Sequence, residues 1–250
     1  LPNIERIVGG RSGEAVHHVD ALSTAPSITF TAQASIFTGQ HPYAHGVAGN
    51  ECFDRLGRLS QGRPRHFGFD VGYTLAVDDA VGVFTDGLAS QFLRSETPTL
   101  YEIASEQGMS AAVVHHMYAR GADTWLPPDI VEIARFTKGK GVLGMAPGEY
   151  DGAMVDRLAG YVDAGNRPDI LTAYFMELDH HSHVYGPLSQ SAYLRGVIDP
   201  CVGRMLDALE AHGMFEGTLF VLVSDHGQIE VVADDRHAIR LGFPFDRELG

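Results

Sequence analysis

Three apolar runs separated by amphipathic stretches constrain this chain most. Ser110 to His116 (SAAVVHH), Asp169 to Glu177 (DILTAYFME) and Gly217 to Ser224 (GTLFVLVS) have the length and continuity of strands buried on both faces. The last is the clearest of the three. Helical patterns precede or separate them at Pro98 to Gln107, Asp151 to Asp163 and Ser189 to His212. Thr97 followed by Pro98 predicts a helix start, with threonine as N-cap and proline at the first helical position. Gly108 and Gly213 stand where C-terminal caps belong. Strand, helix, strand at this spacing predicts βαβ units, hence an α/β fold whose mainly parallel sheet is flanked by helices.

The opening LPNIERIVGGRSGE reads as a short helix and turn, without the basic and apolar regions of a signal peptide. Glu51 to Arg94 and Tyr118 to Pro147 are richer in Gly, Pro and charge, and read as excursions over the top of the sheet. The expected organisation is one catalytic domain over residues 1–250, with loop insertions near 51–97 and 118–147. A formal charge of -14 excludes a nucleic-acid duplex gripped through its phosphates, although bound metal ions could supply a local cationic site. Cys52 and Cys201 lie far apart without CxxC spacing, so neither a disulfide framework nor a thiolate zinc site is indicated, and a single disulfide stays open. No apolar run approaches the roughly 20 residues of a membrane span. The segment reads as soluble, with cytoplasmic and periplasmic or secreted locations both open.

Ligands of such sheets bind beyond the carboxyl ends of the strands. There, Ser224-Asp225-His226-Gly227 directly follows TLFVLV, and a carboxylate beside an imidazole suits a divalent metal such as zinc. The pair alone fits a capping Asp and a surface His equally well. After ILTAYFM comes ELDHHSHVYGP, in which Asp179 and His183 are four apart and share one face of a helical turn. His180 and His181 point elsewhere on that turn. The third place is PSITFTAQASIFTGQHPYAHGVAGN, read as a strand end, a helix from about Thr31 to Thr38 and a Gly39 cap. Thr29 then sits at a helix N-terminus, where free N–H groups favour phosphate, although a simple N-cap role explains it as well.

Together, PSITFTAQASIFTGQHPYAHGVAGN, MELDHHSHVYGP and VSDHG resemble the type I phosphodiesterase/nucleotide pyrophosphatase branch of the alkaline phosphatase superfamily. The resemblance implies a metal-dependent phosphate-ester hydrolase acting on a nucleotide or similar small ester. Thr29 would be the metal-bound nucleophile, forming a phosphothreonine intermediate. Asp225 and His226 would join it on one of two divalent ions, zinc being favoured, and Asp179 and His183 would hold the other. Asn50 matches the asparagine that, with a backbone N–H after the nucleophile, holds a phosphoryl oxygen. Phe30 and Tyr150 match aromatics that sandwich a flat leaving group, whereas Tyr174 reads as a core residue. No histidine is evidently placed to act as a base for Thr29.

The sequence departs from the family pattern in three ways. Thr31-Ala32 stands where Pro-Asn is common after the nucleophile's Phe; Thr31 is a rival nucleophile by composition, in a register that does not fit the match. The family's first strand, ending in a metal-binding Asp-Gly, is expected before Leu1, and its last ligand, a His, beyond Gly250. His237 comes too early to replace it. The chain therefore reads as incomplete at both ends. A phosphomonoesterase or phosphonate hydrolase on the same scaffold, a lipid head-group phosphotransferase and a non-catalytic relative are the alternatives.

Overall fold

A computed structural model describes residues 1–9, 21–68, 77–138 and 144–232. Helix α1 (Pro2–Val8) begins with proline, and its first N–H groups need an acceptor from elsewhere. Asp199 supplies it, accepting from Asn3 N and Ile4 N at 3.0 and 2.9 Å. Next come α2 (Thr29–Thr38), α3 (Pro42–His45) and an antiparallel pair, β1 (Glu51–Asp54) with β2 (Arg65–Gly68). Helices α4 (Val77–Thr85), α5 (Leu88–Phe92) and α6 (Leu100–Glu106) lead to the parallel sheet.

That sheet runs β4 (Thr124–Leu126), β3 (Ala111–Val114), β5 (Ile170–Ala173), all parallel, with β3 in the middle. Every residue of β3 is buried, and its alternate side chains enter two different cores. Ala111 and Val113 pack with Tyr101, Phe37 and Trp125. Val114 packs with Met154, Val155, Leu158, Val162 and Cys201, across the helices Glu149–Asp163 and Asp199–Ala211. Helix α7 (Ile130–Lys138) precedes α8 (Glu149–Asp163), and α9 (Glu177–Tyr185) follows β5. A 3-10 turn (Pro187–Ser189), α10 (Gln190–Tyr193), a π turn (Leu194–Ile198) and α11 (Asp199–Ala211) then run on continuously. The fold is α/β, a parallel sheet flanked by helices, as the run spacing predicts.

Several local expectations are corrected. The clearest sequence strand, Gly217 to Ser224, forms no ladder among the described residues. Leu219 and Val221 are 86% and 77% exposed, and only Phe220 of this run packs into the helical cores. Apolar character makes a strand only where a partner backbone completes its hydrogen bonds, and this run meets none. Tyr118 to Pro147 is not only an excursion, because it contributes the edge strand β4. Helix α6 is capped by Thr99 rather than Thr97: Thr99 Oγ1 and the Glu102 carboxylate exchange bonds with each other's backbone N–H in a capping box. Thr97 Oγ1 instead donates to Ala44 O at 3.0 Å. The helical pattern from Ser189 to His212 is realised as consecutive segments of three types, 3-10, α and π, with α returning at Asp199. The first strand stops at Val114 because His115 turns to φ 57. Cys52 and Cys201 are both free thiols.

Candidate functional site

Helix α2 opens at Thr29 because Ile28 is extended (φ -128, ψ 153), and it closes at Gly39 in the left-handed conformation. Its buried face, with Phe30 and Ala34, packs into the core that holds Val47, Tyr118 and Met117. Tyr118 also donates its hydroxyl to Phe30 O at 3.0 Å. The helix is thus anchored with half-buried Thr29 in its first turn. Phe30 N–H donates to Asn50 Oδ1 at 3.2 Å. That bond fixes the amide orientation, so Asn50 turns its NH2 donors away from the helix end.

Thr29 Oγ1 lies 3.2 Å from His226 Nε2. The other ring nitrogen, Nδ1, is 3.2 Å from Gly227 O and donates to it, which leaves Nε2 as the acceptor facing the threonine. The resemblance put His226 and Thr29 on one ion, and the two side chains do meet; as they stand, Nε2 also occupies the place of a base, which the sequence did not indicate. Asp225 Oδ1 accepts from His226 N at 3.0 Å, and its Oδ2 is 3.7 Å from His226 Nε2.

The second pair repeats this pattern. On α9, Asp179 Oδ2 is 3.4 Å from His183 Nε2, while Asp179 Oδ1 accepts the side-chain amide of Gln228. In both pairs one carboxylate oxygen is held by a hydrogen bond and the other faces an imidazole Nε2. Gln228 also ties the two pairs together, and no reading of the motifs singled it out. Its place directly after Asp-His-Gly is the signal that could have found it.

The donor set can be tested against a divalent ion. Tetrahedral zinc with nitrogen and oxygen ligands at about 2.0–2.2 Å puts neighbouring donors roughly 3.3–3.6 Å apart. Of the observed separations, 3.4 Å falls in this range, and 3.2 and 3.7 Å fall just outside it on either side. Among the described residues, however, no group of three His, Cys, Asp or Glu side chains converges on one point. Asp225 with His226, and Asp179 with His183, fit as partial ligand sets.

The remaining candidates fall elsewhere. Thr31 is 0% exposed and its Oγ1 has no partner, so it is a core residue and no nucleophile. Ser35 Oγ lies 3.0 Å from His45 Nε2, but His45 Nδ1 accepts Val47 N–H, so Nε2 carries the proton and cannot take one from Ser35. The Phe30 ring packs edge-on against Tyr118. Tyr150 is 1% exposed between Phe136 and His115. Both rings are packed inward as they stand, with little face to offer a leaving group. Tyr174 follows β5, and burial raises its pKa well above the usual phenol value, helped by the charges of Asp225 and Asp179. Its ring packs edge-on against His116, with centroids 5.1 Å apart, at the margin of the core. His180 packs on Phe136, and His181 on Tyr185 and Tyr193, away from the ligand face. His237 lies outside the described residues.

Comparison with known proteins adds the wider context. The family model described as type I phosphodiesterase / nucleotide pyrophosphatase matches residues 1–249. Ectonucleotide pyrophosphatase/phosphodiesterase 2 of Saccharomyces cerevisiae is 22% identical over 217 residues, covering 86% of this chain and 40% of that protein. Venom phosphodiesterase 2 of Crotalus adamanteus is 23% identical over 237 residues, covering 94% of this chain and 25% of that one. Murine ectonucleotide pyrophosphatase / phosphodiesterase 5 superposes with a TM-score of 0.59 at 16% identity, over 86% of this chain and 49% of its own. An inactive variant of the same murine protein, in complex with AMP, gives 0.57 at 15%. The chain thus spans two-fifths or less of these curated relatives and about half of the solved ones. Since the family model covers all but one residue, the chain belongs to the type I phosphodiesterase/nucleotide pyrophosphatase family of the alkaline phosphatase superfamily.

Proposed function

We propose that the protein of which this chain is part hydrolyses phosphate diesters or nucleotide pyrophosphate bonds through a phosphothreonine intermediate on Thr29. The observation that carries this reading is the placement of Thr29 Oγ1 in the first turn of α2, 3.2 Å from His226 Nε2, with Asn50 bonded to the next backbone N–H. The family and the names of its relatives support phosphate-ester chemistry.

Asp225, His226 and Thr29 would hold one divalent ion, and Asp179 and His183 a second. When bound, such ions make a hydroxyl acidic enough to attack and offset charge on the leaving oxygen. Thr29 Oγ1 would bond to phosphorus as the ester oxygen departs, and water would then cleave the phosphothreonine to restore the hydroxyl. The α2 N-terminus favours the phosphoryl charge, and the outward NH2 of Asn50 donates to a non-bridging oxygen. Gln228 keeps Asp179 Oδ1 occupied, so that Oδ2 faces His183. For the substrate we favour a nucleotide ester, since an inactive variant of a related murine protein is described in complex with AMP.

A non-catalytic relative is the second reading, favoured by the lack of a three-donor group among the described residues. The full-length protein separates the two. Turnover of bis(nitrophenyl) phosphate or a nitrophenyl thymidine ester, lost on chelation and restored by zinc, is the expected result. Metal binding without turnover would establish the second reading. Preference for nitrophenyl phosphate over its bis ester would replace the diesterase assignment by a monoesterase.

A further inference from the structure

Helices α8 and α9 both start without a side-chain cap of their own, at Gly148 and Met176. Their orphan N–H groups are satisfied across the gap between them. Glu177, the first residue of α9, accepts from Gly148 N with Oε1 at 2.7 Å, and from Tyr150 N and Asp151 N with Oε2 at 3.2 and 3.4 Å. Asp151, in the first turn of α8, returns the bond, since Glu177 N–H donates to its Oδ1 at 3.3 Å. Tyr193 from α10 closes the assembly by donating its hydroxyl to Asp151 Oδ2 at 3.2 Å. Asp151 and Glu177 are 0% and 6% exposed. Two carboxylates buried side by side are costly, and helix capping could be met by a serine or threonine. Their arrangement has one feature that ordinary caps lack: each helix end fixes the other. Asp179 and His183 lie on the helix fixed in this way, two and six residues beyond Glu177.

We infer that Asp151 and Glu177 form a reciprocal cap between α8 and α9, and that as positioning residues they hold the Asp179–His183 pair in metal-binding geometry. The inference rests on the metal-dependent reading above. Neither residue touches the ligand atoms, so its influence runs through the direction of α9. Burial, and then the neighbouring Glu177, raise the Asp151 carboxyl pKa to about 7, so an uncharged isostere suits that position. Asn at 151 keeps an acceptor oxygen for Glu177 N–H, whereas Ala removes it.

The test uses the full-length apo-protein and reads Zn2+ affinity by competition with a chromophoric chelator, alongside the melting temperature. Outer-shell partners of metal ligands typically alter affinity by about 10–100-fold. Asp151→Ala and Glu177→Gln are expected to weaken one of the two zinc ions, that of the Asp179–His183 pair, by that factor, and Asp151→Asn by less than about threefold. Leu209→Ala, in the core of α11, serves as the control that lowers the melting temperature without changing zinc affinity. Unchanged zinc affinity in Asp151→Ala and Glu177→Gln, with melting lowered as in the control, would overturn the inference alone. A wild-type protein that binds no zinc would overturn the metal-dependent reading and the inference together.

Discussion

His226 Nε2 and Thr29 Oγ1 meet at 3.2 Å across a sequence separation of 197 residues. Neither residue is unusual locally: one is a first-turn threonine, the other a histidine after an apolar run. Their meeting turns two ambiguous motifs into one candidate centre. Thr29→Ala in the full-length protein should lower kcat/KM toward a diester by at least ~10³-fold, as loss of a nucleophile does, while Thr29→Ser keeps measurable turnover. Steady-state kinetics with bis(nitrophenyl) phosphate checks both.

Thr31 gives the complementary prediction. Its buried hydroxyl has no hydrogen-bond partner, so the fold bears the cost of stripping it of water. Thr31→Val, equal in shape and without the hydroxyl, should leave turnover within about twofold and raise stability by about 1 kcal/mol. Loss of turnover in this variant would make Thr31 the nucleophile instead.

The legible parts of the fold were those in which local pattern and tertiary context agree. The β3 and β5 cores and the α8 stripe follow from continuous apolar runs and from 3.6-residue spacing. Gly217 to Ser224 has the same apolar signature as β3, but a ladder requires a second backbone, and no property of the run itself reports whether one is adjacent. The start of α6 is legible in the sequence, since Glu102 three residues after Thr99 is the capping-box signal, which Thr97 lacks. In the site, Asp179 with His183 could be read from one helical turn. The inward turn of Tyr150 could not, because it follows from the Glu177 carboxylate drawing the α8 N-terminus toward α9. The role of Gln228 arises only where the segment after Asp-His-Gly meets α9, a tertiary contact that its position in the sequence marks but does not specify.

Gln228 offers a test of the second ligand pair. Its amide donates to Asp179 Oδ1 and leaves Oδ2 toward His183. Gln228→Leu fills similar space and cannot donate. It should weaken metal binding by about 10–100-fold with little change in melting temperature. Zinc titration of the chelated protein measures the first, and thermal unfolding the second.

Stability should rise as pH increases from about 4 toward 6.5 and change little above about pH 7. His115 and His116 are held neutral: burial lowers the first to about 3, with Arg157 contributing, and burial lowers the second to about 4. The unfolded chain takes up their protons below its ordinary histidine value near 6.5, so stability is lost as pH falls from there. Asp151 acts oppositely. With its folded value raised to about 7, the native state retains a proton that the unfolded chain has released, so this contribution is lost progressively from the ordinary carboxylate range up to about pH 7 and opposes the histidine slope there. Melting temperature followed from pH 4 to 9 should show the acid limb and a plateau above about pH 7. His116→Asn should flatten the acid limb, and Asp151→Asn should steepen it.

Gly148 is where backbone conformation and the reciprocal cap meet. It sits at φ 88, and a Cβ built there would stand 2.8 Å from Val197 Cγ1. Its N–H also makes the shortest of the bonds to Glu177, at 2.7 Å. Gly148→Ala therefore meets two separate penalties, left-handed strain of roughly 1–2 kcal/mol and a steric clash with the π turn. Shortening the neighbour separates them. In the double variant with Val197→Ala the clash is relieved and the strain remains, so the two substitutions should couple favourably by about 1 kcal/mol or more in a double-mutant cycle. Chemical denaturation of the four proteins measures this coupling. Additive effects would mean that the π turn moves aside freely, and that φ alone explains the glycine.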